Sequence, residues 1–500
     1  MTQILSKSKL LAFRQCPKRL WLDVHRPALK EDSPSTQARF KVGHEVGDIA
    51  RRLYDADGQG ALIDIKAEGF AAALERTRVL LESRKPIFEA GFSAAGALAF
   101  ADIMLPVHKH GQPHWRMVEI KSSTEVKDYH RDDAAVQSFV ARSAGVPLAG
   151  IALAHIDSTW IYPGGGDYTG LLKEQDLTDK AFARGDEVQS WIRDAQAVLR
   201  SDEPDIRTGA QCSRPYACGF INYCTSQEPQ AQYPIHWLPN VRTNALKNFI
   251  ADSAAIDMRD VPDELLNTAQ KRVKTHSLSG QIYFDVDKAK ADLAGTGLPA
   301  YFMDFETINL AVPIWQGTRA YQQIPFQFSV HCIALDGTLS QEIFLDLSGN
   351  DPSKAFAERL VAACGDQGPV FVYNAGFERG CVRGLAERVP RLAKPLLAIN
   401  ERLVDLQVIA AQRYYHPRQQ GSWSIKEVLP AIAPDLDYAK LDGVQDGTMA
   451  MDAFREAIDP NTSSARKAQI EAQLLEYCGL DTLAMVRIWE MFTGRAGFNA

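Results

Sequence analysis

Two acidic motifs and one group of cysteines are the features of this sequence that could support chemistry. In the first half of the chain, Asp102 precedes Glu119 and Lys121, which lie two residues apart. In the second half, Asp304 and Glu306 are also two residues apart. Carboxylates hold divalent cations, and a cation beside a phosphodiester stabilises the charge that develops on phosphorus during hydrolysis. The motifs therefore predict two separate sites for phosphodiester hydrolysis.

The first motif requires two neighbouring strands. Residues 98–105 form an apolar run that carries Asp102, and residues 115–121 form a second run that ends with Glu119 and Lys121. Side chains two residues apart project from the same face of a strand, so the lysine would orient the attacking water beside the carboxylates. A Glu-x-Lys pair by itself is also typical of a solvated strand face.

Helices on either side of these strands favour the catalytic interpretation. Residues 40–54 predict a helix with His44 near its start, and residues 129–142 predict a helix that contains Gln137. An acid on one strand and a histidine on a preceding helix together indicate a metal site.

Three cysteines lie close together late in the first half of the chain. Cys212, Cys218 and Cys224 occur in CSRPYACGFINYC, with five residues between neighbours. A cubane iron–sulfur cluster needs four thiolates, and Cys16 is the candidate for the fourth. Spacing alone leaves a zinc site open. The remaining cysteines have apolar neighbours and are predicted to be small buried side chains, namely Cys332, Cys364, Cys381 and Cys478.

Residues 1–225 resemble the RecB-like PD-(D/E)xK nucleases, and look most like the iron–sulfur subgroup that includes the CRISPR-associated adaptation exonucleases. In that subgroup one cysteine precedes the nuclease core and three follow it. The resemblance implies a 4Fe-4S cluster on the four cysteines. It implies Mn²⁺ or Mg²⁺ at the first motif, a catalytic lysine and a substrate-binding glutamine. The corresponding residues are His44, Asp102 and Glu119 for the metal, Glu89 as a weaker extra acid, Lys121, and Gln137.

The second motif draws on three elements. Residues 299–308 predict an apolar strand with Asp304 and Glu306 on one face. Residues 369–377 predict a second strand, and residues 474–486 predict a helix. Four carboxylates would hold two cations about 3.5–4 Å apart. The further candidates are Asn374 and Glu378 at the second strand, and Tyr477 and Asp481, which share a helix face.

Residues 298–490 resemble the DEDD exonuclease superfamily, which has an RNase H-like fold. DFET at 304–307 matches its first motif, YNAGFE at 373–378 resembles its second, and YCGLD at 477–481 matches the tyrosine form of its third. Glu378 stands where the family has aspartate. The resemblance implies metal ligation by Asp304, Glu306, Glu378 and Asp481, water positioning by Tyr477, and strand contacts by Asn374 and Lys426. Asp405 is a reserve ligand.

Composition sets wider limits. The chain has 500 residues and a net charge of −7, which excludes a protein that is basic throughout. The first 52 residues nevertheless hold eleven Lys and Arg against five Asp and Glu, a local surface that can contact phosphates. Apolar runs of membrane-spanning length and a signal-peptide pattern are both missing from the sequence, which predicts a cytoplasmic protein without membrane partners.

We therefore predict an α/β protein with three segments. Residues 1–225 are predicted to form a PD-(D/E)xK nuclease fold with an iron–sulfur cluster, and residues 226–297 a linker with a small helical spacer. Residues 298–500 are predicted to form an RNase H-like mixed sheet flanked by helices. The whole architecture also looks like a bacterial family of two-nuclease proteins.

The predicted function is metal-dependent hydrolysis of DNA or RNA, with DNA the favoured partner. The second site would trim 3′ ends in the 3′→5′ direction, and the first would cut internally or from an end. The alternative is a nucleic-acid-binding or scaffold protein in which one or both nuclease domains are inactive. Two departures from the family patterns support it, Glu378 and Ala141, the latter standing where the RecB-like pattern has a tyrosine.

Overall fold

Each half of the chain is organised around its own mixed β-sheet. The computed structural model describes residues 4–32, 34–253 and 255–495. The chain divides into a first unit, Met1–Pro229 with Leu310–Tyr321, and a second unit, Gln230–Asn309 with Gln322–Ala500. Within the described residues, no helix combines the length and apolar character needed to cross a bilayer.

The first unit contains a seven-stranded sheet. Its strands are β1 (Leu5–Ser6), β2 (Ala61–Leu62), β3 (Ile87–Ala94), β4 (Ala97–Lys109), β5 (Gln112–Lys121), β6 (Leu148–Ile156) and β7 (Leu172–Asp176). The strand order is β2-β3-β4-β5-β6-β7, with β1 parallel beside β4. Strands β3, β4 and β5 are antiparallel, whereas β6 is parallel to β5. The carboxyl end of β5, which carries Glu119 and Lys121, therefore lies inside the sheet.

Nine helices of the described residues belong to this unit. They are α1 (Lys7–Gln15), α2 (Pro17–His25), α3 (Pro34–Tyr54), α4 (Ile65–Glu68), α5 (Phe70–Leu80), α6 (Asp128–Ser143), α7 (Thr178–Phe182), α8 (Gly185–Val198) and α9 (Ile221–Ser226). Helix α6 crosses between the parallel strands β5 and β6 and buries Val136 and Val140 completely in the core. Helix α1 begins directly after β1, where the Ser6 side chain accepts a hydrogen bond from the Lys9 amide. This junction brings the start of α1 to the middle of the sheet.

The second unit contains a five-stranded sheet and a two-stranded ribbon. The strands are β8 (Tyr283–Phe284), β9 (Ala300–Ile308), β10 (Ile324–Ile333), β11 (Leu339–Leu345), β12 (Val370–Val372), β13 (Leu403–Asp405) and β14 (Tyr414–Tyr415). The sheet order is β11-β10-β9-β12-β13, and β14 pairs with β8. Strand β9 is antiparallel to β10 and parallel to β12, which makes it the central strand.

Ten helices of the described residues belong to this unit, and some of them cover both faces of the sheet. They are α10 (Asn244–Ser253), α11 (Thr268–Ser279), α12 (Val286–Leu293), α13 (Ser353–Cys364), α14 (Ala375–Arg388), α15 (Ala393–Glu401), α16 (Leu406–Arg413), α17 (Ile425–Ile432), α18 (Gly447–Ile458) and α19 (Ser464–Thr493). Met303 of β9 packs with α13, α14 and α15. Phe302, its neighbour, packs with α12, α16 and α19. Burial on both faces explains why this strand is a continuous apolar run.

Most of the predicted elements are confirmed, with bounds that differ by one or more residues. The helices expected at 40–54, 129–142 and 474–486 correspond to α3, α6 and α19, and the strand expected at 299–308 is β9. The strand expected at 369–377 is wrong after Val372. Asn374 has a φ of 92°, in the left-handed region, and it caps α14. The chain therefore turns into a helix where the sequence suggested a longer strand.

The two units differ in extent from the predicted segments. The predicted spacer, 226–297, lies almost entirely in the second unit, where Arg272 donates a hydrogen bond of 2.6 Å to the Ala411 carbonyl. Residues 310–321, expected in the C-terminal domain, belong to the first unit. There the Tyr162 amide donates to the Thr318 carbonyl, and the Tyr321 hydroxyl donates to the Ser122 carbonyl.

Candidate functional site

The second unit brings three acidic side chains together. Asp304, Glu306 and Asp481 each offer a carboxylate oxygen, and these oxygens all lie within 4.8 Å of one another. Among the described residues, this is the one group of three or more acidic, histidine or cysteine side chains with that proximity. Glu306 and Asp481 are buried. Three converging carboxylates, two of them on buried residues, are suited to bind a divalent cation.

A buried polar network holds α19 against β10 and so positions Asp481. The Ser329 hydroxyl and the His331 Nδ1 lie 2.7 and 2.8 Å from the Thr482 hydroxyl. About two turns further towards the helix start, the Gln327 amide donates to the Leu474 carbonyl at 2.7 Å. These contacts hold α19 at Leu474 and at Thr482, and Asp481 lies between these two residues. Buried hydrogen-bond networks of this kind help to give an element a unique position.

Glu378 is the fourth acid near this group. It lies in the first turn of α14, is 3% exposed, and its Oε2 atom has no hydrogen-bond partner among the described residues. A buried carboxylate oxygen without a partner is costly, and a bound cation would relieve that cost. Asp405 has a different role, since its carboxylate accepts hydrogen bonds from the Asn374, Ala375 and Gln407 amides. It fixes the starts of α14 and α16, and Asn374 itself is exposed.

The electrostatics of this group show excess negative charge. Burial, with repulsion from Asp481, raises the pKa of both Asp304 and Glu306 well above the usual range. Burial raises the pKa of Asp481 to about 6 and that of Glu378 to about 8. These upward shifts indicate that Lys426 compensates the four carboxylates only in part. A site with this deficit of positive charge fits divalent cations.

Three further side chains surround Asp481. Tyr477 lies one turn before it on α19, and Tyr438 donates a 2.5 Å hydrogen bond to its Oδ1 atom. The Lys426 ammonium lies 5.5 Å from the Tyr477 ring centre and 5.6 Å from that of Tyr438. Lys426 also donates to the Gln445 carbonyl. Tyr438 was not predicted, because nothing in the DYAKL segment marks this residue before the chain folds back onto α19.

The first unit assembles a second group of charged side chains. Lys121 donates to Glu119 at 2.5 Å and to Asp133 at 2.6 Å. Lys7, at the start of α1, lies 3.0 Å from both of these carboxylates. Gln137 donates to the other Glu119 oxygen at 2.5 Å. Glu119, Lys121 and Gln137 are therefore brought together as neighbours, with Lys7 and Asp133 as members that the sequence did not reveal.

Here the charges are largely compensated within the protein. Burial, with repulsion from Asp102 and Asp133, raises the pKa of Glu119 to about 7. Burial alone would raise the pKa of Asp133, but Lys121 and Lys7 lower it well below its usual range. Asp102 accepts a 2.7 Å hydrogen bond from the Ile120 amide, and burial raises its pKa. The two lysines therefore occupy positions where a cation would otherwise be needed.

Two other predicted ligands of this site are placed differently. Glu89, on β3, is close enough to Glu119 for repulsion to add to the effect of burial in raising its own pKa. His44 is exposed on α3, and it does not join Asp102 and Glu119 in a group of ligand atoms within 4.8 Å. Asp133 lies four residues before Gln137 on α6, so that helical spacing could have revealed it. Lys7 has no such signal, because β1 joins the sheet only in the folded chain.

The four cysteines Cys16, Cys212, Cys218 and Cys224 line one pocket. All four are free, and no three of their sulfur atoms lie within 4.8 Å of one another. A tetrahedral zinc ion with bonds of about 2.3 Å would hold its sulfurs about 3.8 Å apart. Lys18 and Arg19 line the same pocket. Burial raises the pKa of Cys218 and raises that of Cys224 to about 11, and the charges of Arg19 and Lys18 offset this rise only in part. The four predicted cysteine ligands therefore line one pocket, in positions more open than a bound zinc ion would hold them. Among the other cysteines, Cys364, Cys381 and Cys478 are buried as predicted, and Cys332 is half-buried.

Comparison with known proteins adds one finding. Residues 301–424 match a family described as a domain of unknown function (DUF2779). The matched range contains Asp304, Glu306 and Glu378 but ends before Asp481. No curated protein matches the chain with significant similarity.

Proposed function

We propose that this chain is a divalent-metal-dependent nuclease with two sites, one in each unit. The observation that carries the proposal is the convergence of Asp304, Glu306 and Asp481 beside the unpartnered Glu378 oxygen. Bound Mg²⁺ or Mn²⁺ would activate water and stabilise the leaving oxygen of a phosphodiester. The four carboxylates would hold these cations, and they need a compensating positive charge that Lys426 supplies only in part.

The protein groups around the second site have separate roles in this proposal. Tyr477 is buried one turn before Asp481 and would position the attacking water. Tyr438 orients the Asp481 carboxylate through its hydrogen bond, as partners of metal ligands commonly do. Lys426 adds positive charge next to both tyrosine rings. The mixed sheet with β9 at its centre supports an RNase H-like fold and a 3′→5′ exonuclease of the DEDD type.

The first site would use the same chemistry with more help from the protein. Lys121 contacts both Glu119 and Asp133, a position from which it would orient water. Gln137 holds the second Glu119 oxygen. Asp102 on one strand and Glu119 on its neighbour support a PD-(D/E)xK fold. His44 would have to approach from the exposed face of α3 to join them.

A 4Fe-4S cluster on the four cysteines is part of the proposal. Four thiols in one pocket, with two cationic neighbours, support it. The cluster would link Cys16 between α1 and α2 to the segment at 212–224. Eight free cysteines also support a reducing, cytoplasmic location.

The activity test uses end-labelled single- and double-stranded DNA and RNA with Mg²⁺ or Mn²⁺. We expect wild-type protein to degrade at least one substrate. Asp304→Asn should abolish stepwise shortening from the 3′ end. In a separate variant, Lys121→Ala should abolish the cleavage that the first site contributes. Matched controls are Asp336→Asn and Lys85→Ala, exposed residues of the same two units, which should retain wild-type rates.

Two results would overturn the proposal. Wild-type protein that degrades none of the four substrates would favour the alternative of a nucleic-acid-binding or scaffold protein. Rates unchanged in both site variants would show that the activity comes from elsewhere. Separately, anaerobically purified protein should contain iron and sulfide and absorb near about 400 nm, and a colourless, zinc-loaded protein would contradict the cluster.

A further inference from the structure

The first residue of α1 is a lysine whose ammonium group reaches the proposed first catalytic site. The Lys7 Nζ atom lies 3.0 Å from Glu119 Oε1 and 3.0 Å from Asp133 Oδ1. Lys121 contacts the same Glu119 oxygen at 2.5 Å and the other Asp133 oxygen at 2.6 Å. The two ammonium groups and the two carboxylates therefore form a closed group of four charges, in which both lysines share one acceptor atom.

The fold holds Lys7 in this place from both sides. Before it, β1 pairs with β4, and the Leu5 amide donates to the Gly96 carbonyl at 3.0 Å. After it, Leu10 is completely buried in the core of the first unit. The Lys7 side chain therefore approaches Glu119 from an element that is anchored in the sheet, and its position does not depend on the ion pairs alone.

The helix itself disfavours a lysine at this position. The amino end of a helix carries partial positive charge and favours acidic side chains, yet the first turn of α1 begins with Lys7 and holds no acid. Burial alone would lower the pKa of Lys7, but Asp133 and Glu119 raise it above its ordinary value, so the side chain keeps its charge. A cation that is unfavourable for its own helix and is held by distant acids indicates a role in the site.

The four charges differ in their access to solvent. The side chains of Lys7 and Lys121 are 22% and 21% exposed, whereas those of Glu119 and Asp133 are 1% and 5% exposed. An anion that approaches from solvent therefore finds the two ammonium groups more accessible than either carboxylate. A pair of ammonium groups suits a phosphate, because its non-bridging oxygens carry the negative charge and accept charge-assisted hydrogen bonds.

We propose that Lys7 is a second catalytic lysine of the first site, which leaves Glu119 when a divalent cation binds there and then contacts a non-bridging oxygen of the scissile phosphate. The proposal rests on the proposed nuclease function and adds a residue to its first site. Hydrolysis joins the water oxygen to phosphorus, breaks the bond to the leaving ester oxygen and moves a water proton to that oxygen. Lys7 exchanges no proton in this step, and its charge stabilises the negative charge that develops on the phosphate.

This role has opposite consequences for metal binding and for cleavage. In the metal-free protein the Lys7 ammonium competes with a cation for Glu119, so its removal should tighten Mn²⁺ binding at the first site. Cleavage should become slower, because the phosphate loses a positively charged partner. A lysine that only braced the site would, on removal, weaken Mn²⁺ binding and cleavage together.

The test uses Asp304→Asn protein as the parent, so that the cleavage measured comes from the first site. In this parent, Lys7→Met removes the charge, Lys7→Arg retains it, and Lys9→Met is the matched control from the same helix. Single-turnover cleavage of the end-labelled substrates in Mn²⁺ should be at least about tenfold slower in Lys7→Met, faster than that in Lys7→Arg, and unchanged in Lys9→Met. Isothermal titration calorimetry should give a Kd for Mn²⁺ that is at least about fivefold lower in Lys7→Met than in the parent.

Thermal unfolding in Mn²⁺ checks that the variants fold, and Lys7→Gln replaces Lys7→Met if the latter does not. Equal cleavage rates of Lys7→Met and Lys7→Arg would overturn the inference, and so would weaker Mn²⁺ binding by Lys7→Met. Either result, together with an inactive Lys121→Ala variant, would leave the nuclease proposal standing. A parent protein that cleaves none of the substrates would instead refute the nuclease function of the first site, and the role of Lys7 with it.

Discussion

Replacing Glu378 with glutamine should stabilise the metal-free protein. The glutamine keeps the shape of the side chain but removes the carboxylate, which lies buried beside Asp304 with one unpartnered oxygen. Burial raises its pKa from the ordinary value of 4.5 to about 8. The unfolded chain releases this proton more readily than the folded chain. The loss of folding stability caused by burying Glu378 is therefore absent below pH 4.5, grows as the pH rises, and becomes constant above pH 8.

The size of the effect follows from these two pKa values. At pH 7 the folded protein keeps Glu378 protonated while the unfolded chain ionises it, which costs about 3 kcal/mol. For a unit of this size, that free energy corresponds to a rise in Tm of roughly 6–12 °C. Thermal unfolding in the presence of a chelator, at pH 5 and pH 7, should show a larger gain for Glu378→Gln at the higher pH.

Added Mn²⁺ should favour the wild type over Glu378→Gln in thermal stability. Mn²⁺ stabilises the folded state in proportion to its affinity, and Glu378→Gln lacks one proposed ligand. The variant should therefore gain less from Mn²⁺ than the wild type does. The reasoning is refuted if Glu378→Gln lowers the Tm of the metal-free protein, or if Mn²⁺ stabilises both proteins equally.

Three further predictions concern other parts of the chain. Burial lowers the pKa of His331 to about 4, below the unfolded value of about 6.5. The unfolded chain therefore takes up this proton first as the pH falls below 6.5, and the folded state loses about 2 kcal/mol of stability by pH 5. His331→Asn should flatten that dependence in urea unfolding measurements, and an unchanged slope between pH 7 and 5 would contradict it. Lys7→Met should lower the free energy of unfolding of the metal-free protein by about 2 kcal/mol, which is less than the loss expected for a fully buried pair. Added Mn²⁺ should restore this stability, and a variant that Mn²⁺ does not stabilise would exclude a cation at Glu119. Cys224→Ser should reduce the iron bound per chain in a colorimetric assay, whereas Cys332→Ser should not, and equal iron in both variants would argue against a cluster at this pocket.

Local periodicity predicted the parts of both sites that lie on single elements. Asp304 and Glu306 were assigned to one strand face by their spacing of two, and Tyr477 and Asp481 to one helix face by their spacing of four, which β9 and α19 confirm. Hydrophobic burial on both faces of β9 makes that strand readable from its sequence. The strand predicted at 369–377 is too long, because the left-handed conformation of Asn374 begins α14 after only three residues of β12.

Contacts between distant segments could not be predicted in this way. Lys7 reaches Glu119 across 112 positions, and Tyr438 reaches Asp481 across 43. Neither contact follows from a helix or strand period, because each depends on where a connecting segment crosses the sheet. The packing of residues 310–321 with the first unit likewise depends on contacts between distant segments.

The central claim is that the acids of the second unit form a divalent-metal centre. Crystals of wild-type protein grown with Mn²⁺ allow a direct test through the anomalous scattering of the metal. We predict strong anomalous peaks bounded by Asp304, Glu306, Glu378 and Asp481, and their loss in Asp304→Asn crystals. An anomalous map without a peak among these four side chains at millimolar Mn²⁺ would contradict it.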